Sequence, residues 1–251
     1  MEKIFTPINA WESVGITKHF GGADATEELL KWVVISKHSK VLDVGCGTGY
    51  TACHITNKFG CRVAGIDTSA ILLNMAINRA KKLGVISNVL FKKANAEHIP
   101  FPDNTFDVVL SESVLSLCES KKIISEIHRV LKKDGVFLSN EVTYIKKPSD
   151  KLSRYFSKSL NINLSIFTRK GWESLFKNSG FKILKSSAYR IRYSTEVKSH
   201  FKVDAPLKVV TAFASVLCDK KFRETYLNLE LLKGWSKFLS YAGYGLYVCK
   251  K

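Results

Sequence analysis

From about residue 40 onward, short apolar runs alternate with amphipathic stretches, the rhythm of strand–helix units that assemble a parallel sheet. Lys40–Val44 (KVLDV) reads as a buried strand that runs into GCGTGY, with a helix over Thr51–Phe59. Arg62–Ile66 (RVAGI) is a second strand ending at Asp67. Thr68 or Ser69 can cap the next helix, through ILLNMAINRAKKL, and Gly84 suits its end. Val89–Lys92 and Phe106–Leu110 read as the third and fourth strands.

A helix over residues 121–132 places Ile123, Ile124, Ile127, Val130 and Leu131 on one face, and Asp134-Gly135 predicts its stop. Val136–Glu141 is a fifth strand. Residues 142–167 look irregular or weakly helical, 168–179 helical up to Gly180, and Phe181–Ser186 extended. Residues 205–241 read as two helices; Phe222, Tyr226, Leu229, Leu232, Trp235 and Leu239 recur at spacings of three and four in the second. Tyr244–Cys249 closes the pattern as a strand.

The chemistry concentrates in Val41-Leu-Asp-Val-Gly-Cys-Gly-Thr-Gly49, a strand that enters a glycine-rich turn and then a helix. Glycines at 45, 47 and 49 let the backbone turn tightly and approach a ligand, and the helix behind them offers N–H groups. No Gly-Lys-Ser/Thr follows, so the loop is not a P-loop, and GxGxG departs from the dinucleotide GxGxxG. Asp67 ends the second strand, where a carboxylate of a doubly wound sheet can accept bonds from both ribose hydroxyls. Loop and acid in this order imply a nucleoside ligand.

These residues resemble the class I S-adenosylmethionine-dependent methyltransferases, in particular the small-molecule enzymes with an LDVGCGTG loop. The resemblance is strong over about residues 10–141 and weak beyond. It implies a Rossmann-like, doubly wound, mostly parallel seven-stranded α/β sheet whose last strand is antiparallel, with a helical insert before it. It divides the single domain 1–251 into an N-terminal helical lid (1–38), a cofactor-binding core (39–141) and a C-terminal part (142–251) with a substrate cap at about 195–241. It implies S-adenosylmethionine as cofactor, S-adenosylhomocysteine as product, and methyl transfer to a small-molecule acceptor.

Carried over position by position, the resemblance puts Asp43, Gly45, Cys46, Gly47 and Gly49 against the methionine portion, and Asp67 with its neighbour Thr68 at the ribose. In Lys93-Ala-Asn-Ala-Glu-His98, Asn95 stands where the family more often has Asp; its carbonyl can still accept from the adenine amino group, and Ala96 would offer its N–H to the ring. Ser111 would lie beside the sulfonium. In Lys18-His-Phe-Gly-Gly22, His19 and Phe20 are the lid candidates. Glu112, just after the fourth strand, is the expected catalytic, substrate-facing acid, and Glu141 takes second place; His98 and His128 read as structural.

Charge adds one distinction. The chain carries 39 basic and 22 acidic residues, net +17, but residues 1–141 hold 17 and 15 of them whereas 142–251 hold 22 and 7. A basic C-terminal region favours an anionic acceptor and keeps open RNA or protein as substrate, although no RNA-binding motif is present. A non-catalytic S-adenosylmethionine-binding regulator is a further alternative. Six cysteines stand far apart without CxxC pairing, so no metal site is expected and a reducing cytoplasm fits. Residues 1–15 lack the apolar segment of a signal peptide, and the longest candidate span, Ala205–Cys218, has 14 residues and contains Lys208. No transmembrane helix is expected.

Overall fold

In the computed structural model, which describes residues 19–160, 165–191 and 229–251, the predicted alternation appears as one twisted sheet between helical layers. The elements in chain order are α1 (Gly22–Lys31), β1 (Lys40–Val44), α2 (Tyr50–Phe59), β2 (Arg62–Asp67), α3 (Ala70–Lys82), β3 (Val89–Lys93), β4 (Phe106–Glu112) and α4 (Ser120–Val130). There follow β5 (Leu131–Tyr144), α5 (Asp150–Leu160), β6 (Phe167–Thr168), α6 (Arg169–Asn178), β7 (Lys182–Arg190), α7 (Leu229–Leu239) and β8 (Ala242–Lys250). The strand order is β3-β2-β1-β4-β5-β8-β7, seven strands as expected, and the two-residue β6 pairs with β5 off this path. β8 lies antiparallel between β5 and β7, so the last strand has the expected direction.

Both faces of the sheet are covered, which is why its central strands are apolar almost without interruption. Leu42, Val44, Val109 and Phe137 pack with Ile123, Ile127, Trp172 and Phe176 from α4 and α6. Val41, Leu110, Leu138 and Leu246 pack with Ala25, Leu29, Ala52 and Ile55 from α1 and α2. A smaller cluster of Val142, Phe156, Phe238 and Ala242 joins α5 and α7 to the ends of β5 and β8, with Phe20 against it.

Three local readings change. The helix expected over 121–132 ends at Val130, and Leu131 already belongs to β5. Lys132–Gly135 forms an irregularity in the strand: Asp134 takes φ +65°, the β4–β5 register shifts between Phe106 and Val108, and Lys132 pairs with Asp107. Second, β5 runs on to Tyr144, and the region read as irregular holds the eleven-residue helix α5. Its helical period was diluted by polar positions, and packing on α7 supplies the missing incentive. Third, Ser69 rather than Thr68 caps α3, its Oγ accepting from Leu72 N at 3.2 Å.

Residues 1–18, which include most of the expected lid, lie outside the described residues, as do Ala205–Cys218, Phe222 and Tyr226. Among the described residues, no helix is long and apolar enough to cross a membrane. Among them too, no group of three or more His, Cys, Asp or Glu is placed to hold a metal.

Candidate active site

The glycine loop leaves β1 and is stitched to the end of β2. Gly45 and Cys46 both donate to Ile66 O, at 2.8 and 3.0 Å, and Gly47 N donates to Asp67 Oδ2 at 2.9 Å. The other Asp67 oxygen accepts from Ser69 N at 2.9 Å. The acid expected at the ribose therefore also fixes the loop, and Ala94 N on Asp67 O at 3.0 Å brings the Asn95–Ala96 turn alongside.

The three loop glycines do different jobs. Gly45, Gly47 and Gly49 all take positive φ. A Cβ on Gly45 would lie 2.3 Å from Val114 Cγ2, and one on Gly49 would lie 2.6 Å from Ala76 Cβ and 2.9 Å from Phe91 Cζ, so these two are required by packing. A Cβ on Gly47 would meet nothing within 4 Å. The space it would enter is open, as a ligand-facing position requires. Cys46 turns its thiol inward toward Gly65, and burial pushes that thiol up.

Asp43 sits at the end of β1 with its side chain buried. Desolvation, reinforced by the nearby charges of Glu112 and Asp67, raises its carboxyl well above the usual range. Its Oδ2 has no hydrogen-bond partner, and neither do Ser111 Oγ, Ser113 Oγ, Ser139 Oγ and Asn140 Oδ1. These are five of the six such buried side-chain atoms among the described residues, and all five lie at the carboxyl ends of β1 and β4 and on the stretch of β5 that faces the end of β4. Register aligns Val44 with Ser111 and Ser111 with Ser139 across the three strands. Buried oxygens of this kind are otherwise bonded, so their concentration at one sheet edge marks where a polar ligand would sit.

Glu112 stands in register with Asn140, on the sheet face that also carries Asp43 and opposite the one that carries Ser111 and Ser139. Glu112 Oε1 accepts from Thr26 Oγ1 at 2.9 Å and Oε2 from Thr51 Oγ1 at 2.8 Å. His19 Nε2 lies 3.6 Å from Oε2 and 3.3 Å from Thr26 Oγ1, and its Nδ1 lies 3.1 Å from Asn140 Nδ2. The His19 and Glu112 side chains are each only 6% exposed. The expected lid histidine and the expected acid are thus brought together, with the acid's two oxygens occupied by threonines.

The remaining candidates fall into place less centrally. Asn95 is exposed, and its Oδ1 accepts from Glu97 N at 2.9 Å, leaving the second lone pair of that oxygen for a ligand donor. Ala96 is half-buried against the core, and Thr68 is exposed beside Asp67. Glu141 is fully buried and accepts from Val114 N, Leu115 N, Ser116 N and Ser116 Oγ between 3.0 and 3.3 Å, which makes it a cap of the turn after β4 rather than an acid facing substrate. Burial pushes its carboxyl up to about 7. His128 packs edge-on against Phe181, and His98 is exposed.

Sequence reasoning missed Asn140, Ser139, Thr26 and Thr51, and it missed Arg129. The signal for the first two was present: Ser139-Asn140-Glu141 is a polar run at the end of an otherwise apolar buried strand. Arg129 donates to Ile99 O, Phe101 O, Asp103 and Glu126, all between 2.7 and 2.9 Å, and so holds the loop that follows Asn95 and Ala96.

The sequence profile of a family described as a methyltransferase domain matches residues 35–186. A protein of Haemophilus influenzae described as uncharacterized is 32% identical over 165 residues, covering 64% of this chain and 66% of that one. Phosphoethanolamine N-methyltransferase 1 of Arabidopsis thaliana is 29% identical over 163 residues, 64% of this chain and 32% of the relative. The match therefore spans less than two thirds of either relative. Among solved structures, an S-adenosylmethionine-dependent methyltransferase from Thiobacillus denitrificans in complex with S-adenosyl-L-homocysteine superposes with a TM-score of 0.75 at 18% identity, covering 98% of both chains, a likeness of fold.

Proposed function

We propose that this chain, which belongs to the methyltransferase domain family, moves the methyl group of S-adenosylmethionine onto a small-molecule acceptor. The observation that carries the reading is the set of unpartnered buried oxygens at the carboxyl ends of β1 and β4 and on the stretch of β5 facing them, beside a glycine loop with open space at Gly47. These residues fit the cofactor. Asp43 and the backbone of Gly45–Gly49 would hold its methionine portion, Asp67 and Thr68 the ribose, Asn95 and Ala96 the adenine, and Ser111 the neighbourhood of the sulfonium.

Bound there, S-adenosylmethionine supplies a methyl group made electrophilic by its sulfonium. The chain's own task is alignment: placing a nucleophile in line behind that carbon in a site from which water is excluded, which contributes on the order of 7–11 kcal/mol at best. A neutral amine, an easily ionised thiol or an activated carbon acid needs no protein base. In this reading residues 1–38 form the lid, with His19 on the cofactor side, and 195–241 form the acceptor cap.

An anionic acceptor is the finer part of the proposal. It is supported by the net charge of the C-terminal region and by an open surface depression of about 370 Å³ between α5 and α7, where Lys151 and Lys237 stand among Ser149, Leu152, Tyr155 and Tyr241. The similarity to a phosphoethanolamine N-methyltransferase points the same way. Calorimetric titration with S-adenosylmethionine, S-adenosylhomocysteine and NAD tests the cofactor. Binding of the first two alone is expected, and binding of neither sulfur nucleoside would sink the reading. A labelled-methyl screen over small acids, phosphorylated amines, quinones and RNA then tests the acceptor class.

A further inference from the structure

Glu112 was the residue expected to face substrate, yet its surroundings describe a different task. Follow the hydrogen bonds by what each group can do. Asn140 Nδ2 donates to Phe20 O at 2.9 Å and, with its second hydrogen, can donate to His19 Nδ1. That leaves His19 with its proton on Nε2, directed at Thr26 Oγ1, which donates in turn to Glu112 Oε1. Thr51 Oγ1 donates to the other carboxylate oxygen. Every bond runs toward Glu112, whose two carboxyl oxygens act here as acceptors.

The chain of bonds joins four elements. Thr26 is fully buried on α1, His19 and Phe20 lie just before that helix, Asn140 is on β5, and Thr51 is in the first turn of α2, directly behind the glycine loop. We propose that Glu112 is a positioning residue, an acceptor-only strut whose two oxygens tie the N-terminal segment through Thr26 to the cofactor loop's helix through Thr51, so that His19 and Phe20 are seated over the ligand edge of the sheet. The inference rests on the cofactor reading above. It replaces a base in contact with substrate by a group acting through its neighbours. A second tie between the same helices, Glu27 with His54 and Lys58, is partly exposed and worth less in salt. Loss of the Glu112 strut therefore loosens the segment without detaching it.

The test uses the full chain and needs no acceptor. S-adenosylhomocysteine affinity is measured by calorimetry, and exchange of the amides of residues 22–31 is followed with and without that ligand, in wild type, E112Q, T26V, T51V and T26S. The strut predicts that E112Q, T26V and T51V each weaken affinity about tenfold, the effect of one hydrogen bond to a charged group. It predicts faster exchange over 22–31 in these variants, and recovery of most of the T26V loss in T26S, where the donor returns. Should E112Q fail to fold, T26V against T26S decides. Wild-type affinity and wild-type exchange in T26V and T51V would overturn the inference. If wild type itself does not bind S-adenosylhomocysteine, the cofactor reading falls, and exchange in the unliganded variants still judges the strut.

Discussion

Asp67 accepts from the backbone of Gly47 at 2.9 Å, so the acid that would hold the ribose also sets the shape of the loop that would hold the methionine. Two consequences of one substitution should therefore travel together. Asp67→Ala is expected to weaken S-adenosylhomocysteine binding by well over tenfold, because ligand bonds and the loop anchor are lost at once, each charged hydrogen bond contributing about 1.5–3 kcal/mol. Asp67→Asn, which keeps one acceptor, should fall between. Calorimetry on the three proteins checks the order; equal affinity in Asp67→Ala would remove Asp67 from the site.

The loop glycines separate binding from stability. Gly47→Val should fold, at a cost of roughly 1–2 kcal/mol for a side chain at positive φ, and should fail to bind the cofactor because its side chain fills the open space. Gly49→Val, driven into Ala76 and Phe91, should lose stability first. Thermal melts with and without S-adenosylhomocysteine distinguish them. A Gly47→Val protein that is stabilised by ligand as strongly as wild type would place the cofactor elsewhere.

How much of this was legible in the sequence follows from how local each signal is. The strands β1, β2 and β4, the loop and Asp67 are written in contiguous residues, and the structure places them within a residue or two of where the pattern put them. The sheet edge gathering Asp43, Ser111 and Glu112 was legible as the ends of two strands, β1 and β4. What Glu112 touches was not, because Thr26 lies 86 residues and Thr51 lies 61 residues away, and a threonine in a helix carries no sign of its partner. Glu141 failed as a site candidate for the same reason: the backbone donors of 114–116 that claim it come from the preceding turn.

Arg129 clamps the loop between the adenine-side residues and β4 with two carbonyls and two carboxylates. Arg129→Ala should cost about 2 kcal/mol and raise amide exchange over 99–105, leaving backbone carbonyls and the Glu126 carboxylate without their donor. Arg129→Lys, a single ammonium in place of a planar fork, should recover only part. Exchange measurements mapped by residue check the location; a rise spread evenly over the chain would contradict a local clamp.

Asp43 predicts a proton linkage. Its carboxyl is raised by burial and by the Glu112 and Asp67 charges, and the ammonium of a bound methionine moiety would favour the ionised form. Binding should then release a proton wherever the free protein holds Asp43 protonated, and affinity should rise with pH through that window. Calorimetry in two buffers of different ionisation enthalpy measures the release. Asp43→Asn should abolish it, and equal heats in both buffers for wild type would mean that Asp43 does not face the ammonium.

Glu141 gives a stability signature that is independent of any ligand. An unfolded glutamate titrates near its ordinary 4.5, whereas burial holds this one at about 7, so between those values the folded chain keeps a proton that the unfolded chain releases. A raised acid of this kind costs stability as pH climbs: the folded state is favoured below about 4.5, and the advantage is gone above about 7, a change of about 3 kcal/mol. Glu141→Gln cannot titrate and lacks that slope. Its four donors at 114–116 are served less well by an amide, so the informative quantity is the pH dependence of the difference between the two proteins and not either stability alone. Urea unfolding at intervals from pH 4.5 to 7.5 should show the variant gaining on wild type by about 3 kcal/mol across the window. Parallel curves would mean that the four hydrogen bonds hold Glu141 ionised throughout, and its burial would then have been fully offset by its neighbours.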